Sequence, residues 1–173
     1  MLPKPAACQG CRLYGDGTGF VPDCLVPDAA VLILAQNPGT DEEQGERVVG
    51  VVYSGRGRVP VKEPNLGGPA PLIGMTGYDM EREFFPLAGL TREGTSLANV
   101  LKCRQVVAGR RTNDLPKGRI LRDAAAHCTA AYLHIPATTR LVVAMGALAA
   151  SWTGCPGSVS AWRGFAYPLR VQC

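Results

Sequence analysis

The chain has 173 residues, of which 46% are hydrophobic and 18% charged, and its formal net charge is +4. This length is typical of one domain with a buried core, and the composition excludes a disordered chain. The longest apolar runs are Ala29–Ala35 and Leu141–Ala150, far shorter than the ~20 residues of a membrane-spanning helix. The N-terminal residues include no apolar stretch of signal-peptide type, so we expect a cytoplasmic protein.

Short β-branched and aliphatic runs alternate with segments of helical spacing. The runs predict strands buried on both faces at Val31–Ala35, Ser96–Leu101 and Leu141–Met145, and a last strand begins near Tyr167. The helical spacing predicts helices at Tyr78–Leu87 and Gly118–Leu133, and a short helix that ends at Trp152. This alternation predicts an α/β fold of three layers, with helices on both faces of a parallel sheet.

Two segments interrupt this pattern. Residues 1–27 form an irregular cap rich in Gly and Pro, and residues 40–69 form an excursion within a single domain that spans residues 1–173. Within the excursion, Val48–Tyr53 and Arg58–Lys62 flank a Ser-Gly-Arg-Gly turn, which predicts a β-hairpin.

Seven cysteines in a chain without an export signal do not indicate a disulfide framework. A Cys-x-x-Cys pair lies in the N-terminal cap, a third cysteine follows a predicted strand, and a fourth lies on a predicted helix: Cys8, Cys11, Cys103 and Cys128. Four such thiolates suit a 4Fe–4S cluster or a structural zinc ion, and buried inert thiols fit the spacing equally well. We interpret the remaining three as ordinary small side chains: Cys24, Cys155 and Cys173.

Polar residues follow two of the predicted strands. Gln36, Asn37, Pro38 and Gly39 come directly after the first strand, and Asn99 lies near the end of the second. Ligands of open α/β sheets bind at the carboxyl ends of the strands, and a buried Asn offers a donor and an acceptor to a base edge. Each segment alone also fits an ordinary turn, or an Asn that is bonded to backbone.

A basic stretch comes after Cys103. Residues 104–122 hold six cations and one anion, and residues 109–113 are predicted to form a flexible loop. The candidates for phosphate contacts are Arg104, Arg110 and Arg111. A solvated loop and helix face is the alternative interpretation of this charge.

Taken together and in order, these motifs resemble the iron–sulfur branch of the uracil-DNA glycosylase superfamily, over residues 8 to about 165. The Cys-x-x-Cys pair precedes the first core strand, which ends in a Pro-Gly loop as in the family. Pro71-Leu72-Ile73-Gly74 resembles the family's Pro-Phe-Val-Gly element. Asn99–Arg104 matches the family's Asn-Val-Val-Lys-Cys-Arg at five of six positions, and Cys128 lies on the following helix, like the family's fourth cysteine.

The resemblance implies a three-layer α/β/α fold around a central four-stranded parallel sheet. It also implies a 4Fe–4S cluster, with zinc as the alternative, held by the four thiolates of Cys8, Cys11, Cys103 and Cys128. The expected activity is that of a DNA repair enzyme, which flips uracil out of DNA and hydrolyses its N-glycosidic bond.

The same resemblance assigns roles to the polar residues. Gln36 and Asn37 would lie in the catalytic loop that positions the attacking water, and uracil would contact Gly39, Leu72 and Asn99. The expected partner is uracil-containing DNA and not a membrane. Such a protein would be associated with the nucleoid in a bacterium, or would lie in the host cytoplasm if viral.

Three features depart from the family pattern. Gln36 stands where the iron–sulfur branch has Glu, and an amide cannot act as a base; Asn37-Pro38-Gly39 instead resembles the loop of other branches, in which Asn orients the water. Leu72 replaces a stacking Phe. The family's last motif, His-Pro-Ser or similar, has no counterpart before Cys173, so either the chain is a fragment or it lacks the His that stabilises the uracil anion.

Two alternatives to the enzyme therefore stay open at the level of sequence. One is a catalytically degenerate iron–sulfur module that binds DNA or a partner within a larger replication or repair protein. The other is a structural domain that is held together by zinc.

Overall fold

The continuous apolar runs of the sequence form the central strands of the fold. A computed structural model describes residues 1–16, 19–55, 57–153 and 169–171. The strands in this part of the chain are β1 (Val31–Ala35), β2 (Glu46–Ser54), β3 (Gly57–Pro64), β4 (Ser96–Asn99), β5 (Gln105–Val107), β6 (Arg110–Thr112), β7 (Leu141–Met145) and β8 (Leu169–Val171). The helices are α1 (Thr40–Gln44), α2 (Met75–Asp79), α3 (Phe85–Leu87), α4 (Gly118–Tyr132) and α5 (Ala147–Trp152), and a π-helical turn at Met80–Phe84 joins α2 to α3.

The central sheet has four strands in the order β4-β1-β7-β8. β1 lies in the interior, paired in parallel with β4 on one side and β7 on the other, and its residues Leu32, Ile33 and Leu34 are buried. Burial on both faces explains why this strand is a continuous apolar run rather than an alternating one.

The fourth strand differs from the expected all-parallel sheet, because β8 is antiparallel to β7. Leu169 pairs with Met145, so β8 begins at the carboxyl end of β7. A strand that enters at this end needs no crossover back to the opposite edge of the sheet, and antiparallel edge strands are common in otherwise parallel sheets. The predicted start of this strand, Tyr167, lies outside the described residues.

Helices cover both faces of the sheet. On one face α4 packs through Ala124, Ala125 and Cys128 against the strands. On the other face, Met80 and Phe85 pack against the sheet together with Leu72 and Met145. The three-layer α/β/α class is thereby confirmed. No helix among the described residues has the length and apolarity to cross a membrane.

The predicted helix at Tyr78–Leu87 begins earlier than expected, at Met75, and is irregular in its centre. Pro86 has no N–H for the carbonyl of Arg82, four residues before it, and the π-helical turn ends at this point. The other predicted helices and strands agree with the observed bounds within two residues, including the hairpin formed by β2 and β3.

The basic segment predicted as a flexible loop is instead a second hairpin, formed by β5 and β6. Its two turn residues, Ala108 and Gly109, both have positive φ, at 49° and 75°. This geometry is that of a type I′ turn, whose twist matches the twist of paired strands. Ala before Gly is a weak signal for such a turn, which is why the pattern was not recognised.

Buried ion pairs fix this second hairpin to α1. Arg104 and Arg111 bind the two carboxylate oxygens of Glu43, at 3.0 and 2.7 Å. Glu43 is 1% exposed and Arg104 is 7% exposed. Arg111 also donates to the backbone carbonyl of Asp16, so the N-terminal cap joins the same cluster. The three charged side chains therefore connect three separate segments of the chain.

Glu43→Gln should lower the free energy of unfolding by about 3–5 kcal/mol, because it leaves buried arginine charge without compensation. Urea denaturation of the two proteins measures the difference. The control is Glu63→Gln, at an exposed position of β3, which should change stability by less than about 0.5 kcal/mol. Equal stabilities of the two variants would contradict the structural role of Glu43.

Candidate functional site

A cavity of about 800 Å³ opens at the carboxyl ends of the central strands. Its lining comes from the loop after β1, from α1, from the hairpin of β2 and β3, and from the segment after β6. The lining residues include Asn37, Gly39, Glu42, Lys62, Leu72 and Asn113. Its position follows the rule that ligands of open α/β sheets bind at this edge, where loops diverge from adjacent strands.

The loop Asn37-Pro38-Gly39 forms one wall of this cavity, as the sequence predicts. The side-chain amide of Asn37 donates to the backbone carbonyls of Pro38 and Asn113, at 3.2 and 3.0 Å. Thr40 also bonds to the Asn113 side chain, at 3.3 Å. The loop after β1 is thus tied to the segment that follows the second hairpin, and both amide hydrogens of Asn37 are used.

Gln36 contacts the cavity but is held by α5. Its Oε1 atom accepts the backbone N–H of Leu148 at 3.0 Å. A Cβ atom on Gly146 would lie 2.3 Å from the Gln36 side chain, so only glycine fits beside it. The predicted catalytic residue Gln36 is therefore a link between β1 and α5 in this structure, and its amide is turned toward the backbone.

Glu42 is the site residue that the sequence analysis missed. Its carboxylate is 7% exposed, lines the cavity, and accepts the backbone N–H groups of Gly39 at 3.0 Å and Leu72 at 2.5 Å. Burial raises the pKa of this carboxyl group from 4.5 to about 7, against the opposing effect of these hydrogen bonds. A Glu three residues after the N-cap position of a helix was the available signal.

Leu72 is held in a conformation that non-glycine residues rarely adopt, with φ at +54°. Its N–H is bonded to Glu42, and its carbonyl accepts Arg92 at 2.7 Å. A Cβ atom on Gly77 would lie 1.7 Å from that carbonyl oxygen, so α2 can pack here only with glycine at this position. These contacts fix the apolar Leu72 side chain at the cavity wall.

Asn99 lies at the end of β4, level with Ala35 at the end of β1, and is fully buried. Both atoms of its side-chain amide lack a hydrogen-bond partner among the described residues. The amide lies near the Glu42 carboxyl group, and this interaction lowers the pKa of that group against the larger effect of burial. A buried amide without partners costs about 1–3 kcal/mol per unsatisfied group, and such groups are typical of sites that bind a ligand.

A buried ion pair fixes the backbone of Asn99. Lys102 binds Asp23 at 2.5 Å, and both residues are almost completely buried. The Asn99 N–H donates to Asp23 at 3.2 Å, and the Asn99 carbonyl accepts the Lys102 ammonium at 2.5 Å. Burial lowers the pKa of Lys102 and raises that of Asp23. The unpaired amide is therefore rigidly positioned.

Four cysteines from distant parts of the sequence come together on the α4 side of the sheet: Cys8, Cys11, Cys103 and Cys128. Their thiols are free. A hydrogen bond with Cys128 lowers the pKa of Cys11 to about 6, and burial raises that of Cys103 to about 12. Cys8 lies 3.1 Å from the hydroxyl of Tyr132 on α4.

The geometry of these four thiols differs from that of a single-ion site. Among the described residues, no three potential ligand side chains are arranged to enclose one metal ion. Four thiols, three of them buried, are donors of the kind that both iron–sulfur clusters and zinc ions use.

The three arginines predicted to contact DNA have different environments. Arg104 is buried against Glu43, and Arg111 is largely buried in the same ion-pair cluster. Arg110 is exposed on β6. The cationic surface of this hairpin is therefore smaller than its sequence indicates.

The raised pKa of Glu42 predicts a pH-dependent stability. The folded state holds a proton that the unfolded state releases above pH 4.5, so stability is highest below that value and falls as pH rises to about 7. Over this range the free energy of unfolding of the native protein should fall by about 3 kcal/mol more than that of Glu42→Gln, whose side chain does not titrate. Urea denaturation at the two ends of the range tests this, and identical pH profiles would contradict it.

The sequence matches the family description "Uracil DNA glycosylase superfamily" over residues 22–166, which is most of the chain. The match begins after Cys8 and Cys11. No curated protein matches the sequence at a significant level. With its parallel core strands, its helical layers and its cavity at the carboxyl ends of β1 and β7, the chain belongs to the uracil-DNA glycosylase superfamily.

Proposed function

We propose that this protein removes uracil from DNA by hydrolysing the N-glycosidic bond. The observation that carries the proposal is the amide of Asn99, which is buried near Glu42 of the cavity wall and lacks a hydrogen-bond partner among the described residues. Uracil presents a donor and an acceptor on its edge, and an Asn amide can satisfy both. A base that entered the cavity would remove the cost of leaving that amide unsatisfied.

The cavity wall provides the other groups that this reaction needs. Both hydrogens of the Asn37 amide are bonded to backbone, so its oxygen is the atom available to accept a hydrogen bond from the attacking water. Leu72 supplies an apolar surface for the base, and Gly39 allows the base to approach the loop backbone. Positioning of water and base is the main contribution, because the transition state resembles an oxocarbenium ion with a departing anion.

The ionisation of Glu42 would affect this chemistry. Its carboxylate faces the cavity and holds both the Gly39 and the Leu72 backbones. A positively charged sugar forms in the transition state, and a nearby carboxylate anion stabilises such a charge. With a pKa of about 7, Glu42 is partly neutral near neutral pH, so this stabilisation increases as pH rises.

We further propose that the four thiols hold a 4Fe–4S cluster, with Cys8, Cys11, Cys103 and Cys128 as ligands. The convergence of four free thiols from three separate segments supports this, and zinc is the alternative occupant. When bound, the cluster would join the N-terminal cap to α4 and to the end of β4. Its contribution here is structural.

A second candidate function is a module that binds uracil-containing DNA without cleaving the base, as part of a larger replication or repair protein. The observation that favours it is the position of Gln36, whose amide bonds to the backbone of α5 and provides no base. Such a module would bind uracil through the same Asn99.

Asn37→Ala should slow uracil release from a uracil-containing single-stranded oligonucleotide by about 100-fold, the effect of losing one positioning group in a preorganised site. Asn99→Ala should lower the rate of uracil release. It should also lower the preference in binding for an oligonucleotide that contains uracil over one that contains thymine at the same position. Release of uracil under single-turnover conditions measures the rate, and binding to the same oligonucleotide measures the affinity.

The control is Gln44→Ala, which removes an exposed amide from α1 and should leave the rate unchanged. Binding without release by the native protein would contradict the enzymatic proposal and support the module. Release that persists in both Asn variants would show that this cavity is not the site.

Cys128→Ser should abolish the brown colour and the visible absorbance of anaerobically purified protein, because the hydroxyl is a poor ligand for iron. The control is Cys24→Ser, at a thiol outside the group of four, which should retain the iron and sulfide content. A colourless native protein that contains zinc would identify the alternative occupant, and a metal-free native protein would contradict both.

A further inference from the structure

The hairpin of β2 and β3, here called the ribbon (residues 46–64), is the part of the excursion that the proposed function does not use. Its strands pair over their full length, with one irregularity between Val48 and Gly50. Residues 47–62 include four cations and no acidic residue. The ribbon also exposes large side chains, most of all Tyr53, which is 79% exposed.

The base of the ribbon is fixed to the rest of the protein. Val48 donates its N–H to the carbonyl of Ile73 at 2.8 Å. Arg47 binds Glu81 at 2.6 Å, and Arg58 and Lys62 pair with acidic residues of α2 and α1. The ribbon thus has a defined position relative to the cavity.

One face of the ribbon begins at the cavity and extends outward from it. Side chains of a strand alternate between its two faces, so Arg58, Pro60 and Lys62 share one face of β3. Tyr53 is directly opposite Arg58 and lies on the same face. Lys62 lines the cavity, and the four-residue separation places Tyr53 and Arg58 about 13 Å further out.

We propose that this face of the ribbon binds the DNA strand next to the uracil, with Tyr53 stacking on a base and with Arg58 and Lys62 contacting phosphates. This inference rests on the proposed function for the identity of the base in the cavity. About 13 Å corresponds to about four nucleotides of a B-form strand, at ~3.4 Å each, and to fewer when the strand is stretched. Tyr53 would therefore contact a base a few nucleotides from the uracil.

The chemistry of the ribbon favours nucleic acid as the occupant of this face. Cations beside an exposed aromatic ring are the elements of single-strand binding, in which charges follow the backbone and rings stack on bases. Arg58 and Lys62 keep about a third of their side-chain surface exposed while paired, so they can contact a phosphate without losing their partners. The face is continuous with the cavity through Lys62.

The test uses single-stranded oligonucleotides that contain one 2′-fluorinated deoxyuridine, which resists hydrolysis, extended by one to six nucleotides on either side. Fluorescence anisotropy gives the affinity of each. The native protein should bind more tightly as the strand is extended on one side. In Tyr53→Ala, the increase in affinity with strand length should be about tenfold smaller, as expected for one stacked base. The affinity for the shortest oligonucleotide should be unchanged.

Two variants serve as controls. Tyr53→Phe keeps the ring and should bind like the native protein. Val59→Thr changes an exposed residue near the same end of the ribbon but on its opposite face, and should have no effect. The proposal is overturned if the native protein shows no gain with length, or if Tyr53→Ala binds all oligonucleotides like the native protein or weakens all of them equally.

Uracil release by the same variants separates this inference from the proposed function. If the gain in affinity depends on Tyr53 but the protein releases no uracil, the result would support DNA binding by the ribbon and contradict the enzymatic function. If uracil release depends on Asn37 but Tyr53→Ala leaves the affinities for the extended oligonucleotides unchanged, the result would support the enzymatic function. It would overturn the role of the ribbon.

Discussion

Two consecutive carboxylates, Glu42 and Glu43, are buried in the five-residue helix α1. Their hydrogen bonds and ion pairs hold the walls of the cavity in position. Burying an ionised carboxylate costs several kcal/mol unless charges or N–H groups compensate. Glu43 is compensated by Arg104 and by Arg111 of the second hairpin, whereas the two backbone N–H groups that bind Glu42 offset its burial only in part, so that its pKa stays raised. One turn of helix thus holds the loop after β1, the Leu72 turn and the second hairpin in fixed positions around one space.

The end of β4 concentrates several functions in six consecutive residues. Asn99 lies fully buried near Glu42 of the cavity wall, and the two residues after it are buried in the core. Lys102 forms the ion pair that fixes the Asn99 backbone, Cys103 joins the group of thiols, and Arg104 binds Glu43. Because each side chain contacts a different neighbour, this one segment joins the surroundings of Glu42, the thiol group and the second hairpin.

The sequence predicted the parts of the structure that local pattern controls. Apolar runs located the core strands, and the turn residues located the ribbon, because strand burial and tight turns depend on few residues. The direction of β8 depends on where the chain re-enters the sheet, which no local pattern records. The partners of Arg104 and Gln36 also depend on tertiary contacts: a run of cations indicated a DNA surface, whereas one of them is buried against Glu43. Glu42 was missed because its burial is visible only once α1 is placed.

Two hairpins that lie outside the central sheet shape the approach to the cavity. The ribbon contributes Lys62 to one part of the wall, and the segment after β6 contributes Asn113 to another. The second hairpin is joined to the N-terminal cap through Arg111, and the segment after it is joined to the loop after β1 through Asn37. Among the described residues, the ribbon is instead joined to α1, to α2, to Ile73 and to Glu81 of the π-helical turn. The two hairpins are therefore anchored to different parts of the fold, so that a change in the contacts of one need not move the other.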